Sequence, residues 1–220
     1  MIRGVIFDLD GVLVSTDEFH YQAWKRLANE EGIPFDDNVN HRLRGVSRMA
    51  SLEIILEKSP KQYSQEEKIK LAERKNSYYC ELLQKLNPDA LLPGSLETVQ
   101  RFTNLGIKTA IGSSSKNAKF IMKRIGLAGK IDVVVDGNDI TNSKPHPEVF
   151  LLAATRMGLS PSQCLVIEDA EAGVEAARRA GMVVLGIGTR ERLKEADHVV
   201  GSLLDMDIEA CTTEKPMDTG

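Results

Sequence analysis

The sequence predicts an α/β fold in which a doubly wound parallel sheet carries an inserted helical cap. Short apolar runs rich in Val and Ile recur along the chain, as they do in strands that are covered on both faces. Segments with helical spacing lie between most of these runs, and this alternation favours a parallel sheet. The stretch after the first strand reads as helix only, which indicates an insertion before the second strand.

Length and charge exclude several classes of protein. The chain has 220 residues, enough for one large domain or for a core with a smaller appendage. A net charge of −4 and an isoelectric point near 5.7 offer no basic surface for nucleic acid. No stretch approaches the roughly 18 apolar residues of a membrane span. Three widely spaced cysteines, Cys80, Cys164 and Cys211, favour reduced thiols and a cytoplasmic protein without a structural metal.

The core is predicted to comprise residues 1–14 and 93–220. Its strands are five continuous apolar runs, at residues 4–9, 107–112, 131–135, 164–167 and 183–187. Its helices have apolar residues at helical spacing and several close on Gly, at residues 95–106, 116–127, 147–158 and 172–181. Residues 211–220 are polar and without period, so we expect a loose tail there.

Residues 15–92 are predicted to form the helical cap. Its helices are expected within residues 18–32, 47–58 and 66–86. The chain returns to the sheet through Pro93 and Gly94, a turn of the kind found at domain boundaries.

Carboxylates, hydroxyls and an amine follow the predicted strands. In an open parallel sheet, ligands bind at the carboxyl ends of the strands. Asp8 and Asp10 come at the end of the first strand, and in extended chain their side chains project to the same side. The groups after the later strands are Ser113, Ser114, Ser115 and Lys116, then Lys144, then Glu168 and Asp169.

Carboxylates gathered at one sheet edge predict a divalent cation. All of them are ionised at pH 7 unless their pKa values are shifted, and they would repel each other. Mg²⁺ prefers oxygen ligands and bridges to phosphate, so we expect Asp8, Asp169 and the backbone carbonyl of Asp10 to bind it, with Glu168 as a further candidate.

A phosphoryl group fits the remaining side chains. Ser113, the backbone amides beside it and Lys144 would hold its oxygens, while the metal offsets the charge on one carboxylate that acts as nucleophile. Asp10 could serve as general acid and then as base at the leaving oxygen.

Four motifs in this order resemble the haloacid dehalogenase superfamily of phosphotransferases across nearly all of the chain. They are DLDGVLVST at 8–16, the strand that leads to Ser113, the lysine of SKP at 143–145, and IED at 167–169. The insertion is similar to the helical cap subclass of that superfamily. The cap also resembles the β-phosphoglucomutase family, in His20, Trp24, RGVSR at 44–48, Ser51 and the RKN that contains Lys75.

The resemblance implies that Asp8 is the nucleophile and Asp10 the general acid and base. An aspartyl phosphate would exchange its phosphoryl group with a glucose bisphosphate, so that β-glucose 1-phosphate and glucose 6-phosphate interconvert. Thr16 and His20 would help to place Asp10, and Arg48 would bind the phosphate that does not react. The further substrate contacts that the resemblance implies are Trp24, Gly45, Val46, Ser47, Ser51, Lys75, Ser114, Ser115, Lys116 and Asn117. We expect a monomer that takes sugar phosphates.

Two departures from the family pattern concern the second and third motifs. The family usually has Ser-Ala-Ser where this chain has Ser113-Ser114-Ser115, which adds a hydroxyl near the phosphate and leaves substrate preference open. A small residue usually follows SKP, whereas here His146 and Pro147 follow it.

Structural roles remain the alternative for each candidate residue. A strand-end Asp, the serine run, and Glu168 with Asp169 could each only cap a helix or form a turn. His20 and Trp24 could be a core pair on one helix face, and Lys144, Arg48 and Lys75 could be solvated surface cations.

Two other functions also remain open. A sugar-phosphate phosphatase would hydrolyse the same aspartyl phosphate, and a receiver domain would use a phosphorylated Asp as a signalling switch. The length and the cap disfavour the receiver, and the cap residues favour the mutase over the phosphatase.

Overall fold

The computed structural model describes residues 1–43 and 46–213, apart from the side chains of residues 212 and 213. The chain divides into two compact units. One contains Met1–Ser15 together with the chain from Pro88 onward, and the other contains Thr16–Asn87. Within the described residues, no helix combines the length and the apolar character needed to cross a membrane.

The first unit is built on a six-stranded parallel sheet. Its strands are β1 (Gly4–Phe7), β2 (Lys108–Gly112), β3 (Val133–Val135), β4 (Cys164–Glu168), β5 (Val183–Ile187) and β6 (His198–Val200). Their order in the sheet is β3-β2-β1-β4-β5-β6, and every neighbouring pair is parallel. Because β1 lies between β2 and β4, the chemistry-bearing ends of these three strands are neighbours. The strand order reverses there, and this is the point at which such sheets bind ligands.

The second unit is helical. Its helices are α1 (Asp17–Glu31), α2 (Asp37–His41), α3 (Arg48–Leu56) and α4 (Gln65–Leu83). Ser64 and Glu67 form a capping box at the start of α4, and Gly32 ends α1 in the left-handed conformation that glycine favours. The apolar faces of these helices form a separate small core, which includes Trp24, Leu27, Leu52, Ile55 and Leu71.

The described residues of the sheet unit also contain five helices. They are α5 (Ser95–Asn104), α6 (Ala118–Arg124), α7 (Glu148–Met157), α8 (Glu171–Arg179) and α9 (Ile208–Thr213). Of these, α5, α7 and α8 pack on the strands. Phe150 of α7 is fully buried and packs in one cluster with Ile6 of β1 and Val166 of β4. A Cβ at Gly112 would lie 2.9 Å from the Phe150 ring, so the glycine lets α7 approach the sheet closely at the end of β2.

Three elements differ from the sequence-based expectation. The strand β6 and the helix α2 were not anticipated, because three and five residues are too few to display a period. The helix α9 spans Ile208–Thr213, so the expectation of a loose tail is wrong at residues 211–213. Residues 214–220 lie outside the described part of the chain.

Candidate active site

Lys144 joins two of the predicted carboxylates in the sheet unit. Its Nζ donates a hydrogen bond to Oδ1 of Asp8 at 2.5 Å and another to Oε1 of Glu168 at 2.6 Å. All three residues are buried, and Nζ also lies 4.7 Å from the centre of the Phe150 ring. The strand-end placement thus brings together the residues of the first, third and fourth motifs.

The carboxylates of this group carry more negative charge than one ammonium offsets. Burial raises the pKa of Asp8 to about 7, and the charges of Glu168 and Asp10 act in the same direction. The ammonium of Lys144 lowers this pKa and so partly opposes them. Burial and the charges of Glu168, Asp8 and Asp10 raise the pKa of Asp169 to about 8. Burial alone lowers the pKa of Lys144, but the two carboxylates that it contacts outweigh this effect and raise it. Additional positive charge would therefore stabilise the ionised site.

Glu168 is held at both carboxylate oxygens. Oε1 accepts from Lys144, and Oε2 accepts from the backbone N–H of Ala170 at 2.7 Å. A Cβ at Gly173 would lie 1.7 Å from Oε1, so only glycine leaves room for this carboxylate against α8. These contacts favour a role for Glu168 in positioning Lys144.

Asp169 lies against the loop that follows Asp10. A Cβ at Gly11 would lie 2.3 Å from Oδ2 of Asp169, and Gly11 has a φ of +91°. In the described part of the chain, no three His, Cys, Asp or Glu side chains already converge as a metal site. The oxygen donors of Asp8 and Asp169 nevertheless fit a hard cation, because burial and, to a smaller extent, the neighbouring carboxylates raise their pKa values and a bound cation would oppose both effects.

The segment from Ser113 to Asn117 follows β2, the strand beside β1. The hydroxyl of Ser113 accepts from the N–H of Ser115 at 3.1 Å, and the hydroxyl of Ser115 accepts from the N–H of Asn117 at 3.2 Å. Ser113 is buried and Lys116 is exposed, whereas Ser114, Ser115 and Asn117 are partly buried. The two serine hydroxyls therefore shape this loop and keep their own protons available for an anion.

The loop after β3 supports the Ser113–Asn117 segment. The N–H of Gly137 donates to the carbonyl of Ser115 at 3.1 Å, and the side-chain amide of Asn138 donates to the carbonyl of Lys116 at 2.9 Å. Asp136 is fully buried and accepts from the N–H of Asn138 at 2.8 Å. The sequence analysis did not identify this support.

Tyr79 is the centre of a second group, which lies in the helical unit. Its hydroxyl and that of Thr16 share a hydrogen bond of 2.8 Å, and its ring stacks on His20 with the ring centres 4.0 Å apart. Lys75 is buried, with its Nζ 4.7 Å from the centres of both the Tyr79 and the Trp24 rings. The four predicted residues of this group are therefore brought together.

His20 accepts a hydrogen bond from a cation. Burial lowers the pKa of His20 well below 6.5, and the charges of Lys75 and Arg48 lower it further. The imidazole is therefore neutral at pH 7. Nδ1 of His20 lies 2.8 Å from Nζ of Lys75, so the ammonium donates to Nδ1 and the imidazole proton lies on Nε2.

Arg48 is the first residue of α3. Ser47 caps this helix by accepting from the N–H of Ala50 at 3.3 Å, Ser51 is buried, and Val46 and Arg48 are partly buried. Burial lowers the pKa of Arg48, although the guanidinium remains charged at neutral pH. Gly45 lies outside the described residues.

Comparison with known proteins identifies the family. A family model described as haloacid dehalogenase-like hydrolase matches residues 2–181. The chain belongs to this family. The match covers all four motifs of the sheet unit and the whole helical insertion.

Individual relatives of this haloacid dehalogenase-like protein include mutases and phosphatases. It is 41% identical to the β-phosphoglucomutase of Bacillus subtilis over 210 residues, which are 94% of this chain and 93% of that protein. A crystal structure of β-phosphoglucomutase from Clostridium difficile has a TM-score of 0.90 and 40% identity, with 96% of each chain covered. A phosphorylated carbohydrates phosphatase of Thermotoga maritima is 33% identical over 82% of each chain.

The structure adds residues to the site of this haloacid dehalogenase-like protein that the sequence analysis missed. Tyr79 is four residues after Lys75 on α4, and this spacing places both on one helix face, so it was a usable signal. Gly173, inside a helix where glycine is unfavourable, was a second signal. The contacts of Gly137 and Asn138 gave no signal in the sequence, because they join segments more than 20 residues apart.

Proposed function

We propose that the protein is a β-phosphoglucomutase, which interconverts β-glucose 1-phosphate and glucose 6-phosphate through β-glucose 1,6-bisphosphate. The observation that carries the proposal is the contact of Lys144 with both Asp8 and Glu168 at the centre of the sheet edge. A buried carboxylate with one ammonium beside it is arranged to receive a phosphoryl group. The 41% identity to the mutase over nearly the whole chain selects the sugar reaction.

Asp8 acts as the nucleophile in this proposal. The hydroxyl at carbon 6 of β-glucose 1-phosphate attacks the phosphorus of phosphorylated Asp8 and loses its proton to Asp10. The bond from that phosphorus to Oδ of Asp8 breaks, which gives the bisphosphate and the free Asp8 carboxylate. An Oδ atom of Asp8 then attacks the phosphate at carbon 1. The bond from that phosphorus to the sugar oxygen breaks, and Asp10 returns its proton to the oxygen. Lys144 and Ser113 bind the phosphoryl oxygens during both transfers.

Mg²⁺ is the proposed cofactor. The carboxylates of Asp8 and Asp169 and the backbone carbonyl of Asp10 would hold it, and Glu168 lies beside them. The burial of Asp8 and Asp169 beside other carboxylates supports this assignment, because both effects raise their pKa values and a cation would oppose them. Bound Mg²⁺ would offset the charge between the phosphoryl group and the attacking carboxylate.

The cap residues are proposed to bind the sugar and the second phosphate. Arg48 supplies a permanent cation for that phosphate, and Ser47, Val46 and Ser51 lie beside it in the chain. Lys116, Asn117 and Ser115 would contribute from the sheet unit. Lys75 and Trp24 would contact the substrate, while Thr16 and His20 would help to place Asp10.

We also propose a monomeric protein of the cytoplasm that binds small sugar phosphates. The cysteines of the described residues support the compartment, since Cys80, Cys164 and Cys211 form no disulfide there. The acidic net charge gives no support to a nucleic-acid partner.

A sugar-phosphate phosphatase is the second candidate, because one relative with 33% identity is a phosphatase of phosphorylated carbohydrates. The deciding experiment measures glucose 6-phosphate formed from the β and the α anomer of glucose 1-phosphate, with and without β-glucose 1,6-bisphosphate. The mutase assignment predicts formation from the β anomer only, with activation by the bisphosphate. Release of inorganic phosphate without glucose 6-phosphate would favour the phosphatase, and equal formation of glucose 6-phosphate from both anomers would contradict the assignment to the β anomer.

A further inference from the structure

Ser114 carries a buried hydroxyl without a hydrogen-bond partner among the described residues. Its two neighbours differ in this respect, since the hydroxyls of Ser113 and Ser115 each accept from a backbone N–H of the same segment. A buried hydroxyl that lacks a partner destabilises a protein, so such a group calls for an explanation.

The backbone around Ser114 leaves the loop little freedom to find a partner. The carbonyl oxygen of Ser114 lies so close to Gly137 that a Cβ there would be 2.4 Å from it. The adjacent carbonyl of Ser115 accepts from the N–H of Gly137, and the N–H of Ser113 donates to Val135 at 3.0 Å. The loop is therefore fixed by the strand and the turn beside it, and a partner has to come from outside the loop.

The position in the sheet indicates what that partner is. Ser114 follows β2, which pairs in parallel with β1, and Asp8 follows β1 directly. Lys144 lies at the same edge and donates to Asp8. An ammonium and several hydroxyls at one edge suit an anion with several oxygens, and a serine hydroxyl can donate to one of them.

We propose that the Ser114 hydroxyl donates a hydrogen bond to an oxygen of the phosphoryl group that is bound next to Asp8. This inference rests on the proposed function, because it assigns a further donor to the same phosphoryl site. The Ser114 hydroxyl then lacks a hydrogen bond in the free protein and gains one in the complex. It therefore destabilises the free protein and stabilises the complex with the phosphoryl group.

The test compares Ser114→Ala with Ser95→Ala. Ser95 is the matched control, since it is also buried but donates to the carbonyl of Leu13 at 3.0 Å. Two quantities are measured for each variant and for the wild type. The first is the melting temperature in Mg²⁺, without and with inorganic phosphate. The second is the rate at which acetyl phosphate phosphorylates Asp8, followed by mass spectrometry.

The proposal predicts opposite effects on the free protein and on the complex. Ser114→Ala should melt at or above the wild-type temperature without phosphate, and phosphate should raise its melting temperature less than that of the wild type. Phosphorylation of Asp8 should slow by about tenfold, the effect expected for one hydrogen bond to a charged group. Ser95→Ala should melt at a lower temperature and keep the wild-type phosphate shift and rate.

Three results would overturn the proposal. A lower melting temperature of free Ser114→Ala would mean that the hydroxyl already has a partner. An unchanged phosphate shift and rate would mean that it is only a packing defect. A rate that falls while the phosphate shift stays equal would place the hydroxyl away from the phosphoryl oxygens. Failure of the proposed function is a separate result, in which Asp8 of the wild type is not phosphorylated at all.

Discussion

Gly173 lies directly against the carboxylate of Glu168, where a Cβ would be 1.7 Å from Oε1. The same Oε1 accepts the hydrogen bond of Lys144, which also donates to Asp8. A residue on α8 without chemistry of its own therefore determines where the ammonium of the site is held. This relationship leads to the first prediction.

Gly173→Ala should lower both activity and stability. Alanine in place of glycine usually stabilises a helix by roughly 1 kcal/mol. Here the methyl group must displace Glu168, so we expect the free energy of unfolding to fall by about 1–3 kcal/mol, as in other overpacked sites. Turnover should fall at least about tenfold, because Lys144 loses its anchor.

The control for this change is Gly201→Ala, since the nearest atom to a Cβ at Gly201 is the flexible Asp205 Oδ2 at 3.3 Å. Urea unfolding and turnover of both variants are the measurements. A Gly173→Ala protein as stable and as active as the wild type would show that the position of Glu168 does not matter.

Asp169→Ala should raise the Mg²⁺ concentration needed for half-maximal turnover. Loss of an outer partner of a metal site often costs 10- to 100-fold in affinity, so loss of a direct ligand should cost at least about tenfold. Excess chelator should stop the wild type completely. Glu171→Ala, which removes an exposed carboxylate two residues away, should keep the wild-type requirement. Full activity in chelator would refute the metal assignment.

The neutral state of His20 should make stability depend on pH. Burial lowers the folded-state pKa of His20 well below 6.5, whereas the unfolded chain keeps a value near 6.5. The unfolded state therefore binds the extra proton first, so this contribution is present above pH 6.5 and is lost as the pH falls below it. His20→Asn keeps an acceptor for Lys75 and cannot take up a proton.

Urea unfolding at pH 7.5 and pH 5.5 tests this prediction. The loss of unfolding free energy on acidification should be smaller for His20→Asn than for the wild type. Equal losses in the two proteins would mean that His20 titrates alike in the folded and unfolded states.

Arg48→Ala should separate the mutase from a phosphatase. A charge-assisted and bidentate contact contributes roughly 1.5–3 kcal/mol, which corresponds to a loss of about 10- to 150-fold. The loss should fall on transfer to and from the bisphosphorylated sugar. Phosphorylation of Asp8 by acetyl phosphate should change much less, since this donor has no second phosphate. An equal fall in both rates would mean that Arg48 does not bind the distal phosphate.

The sequence predicted the sheet and the residues at its edge for physical reasons. Strands buried on both faces need continuous apolar runs, so β1, β2, β4 and β5 were readable, and the polar residues that follow them were conspicuous. The fold and the family were confirmed. The roles of the individual site residues remain predictions.

Other features could not be predicted from the sequence because they depend on long-range packing. The packing of α1 against α4 places the Tyr79 ring on His20. The pairing of β3 with β2 brings Asn138 beside Lys116. The edge strand β6 contains only three residues, too few to show a pattern. The missing partner of Ser114 is visible only when all neighbouring atoms are known.

The central claim is that Asp8 carries the phosphoryl group between two positions of one sugar. Its most direct test follows glucose 6-phosphate and inorganic phosphate together in one sample of β-glucose 1-phosphate, primed with the bisphosphate, for the wild type, Asp8→Asn and Asp8→Ala. We predict that glucose 6-phosphate accounts for nearly all of the sugar consumed by the wild type. Both variants should melt as folded proteins and show no turnover, because neither side chain can form an acyl phosphate. Release of phosphate equal to the sugar consumed, or substantial turnover by both variants, would contradict the claim.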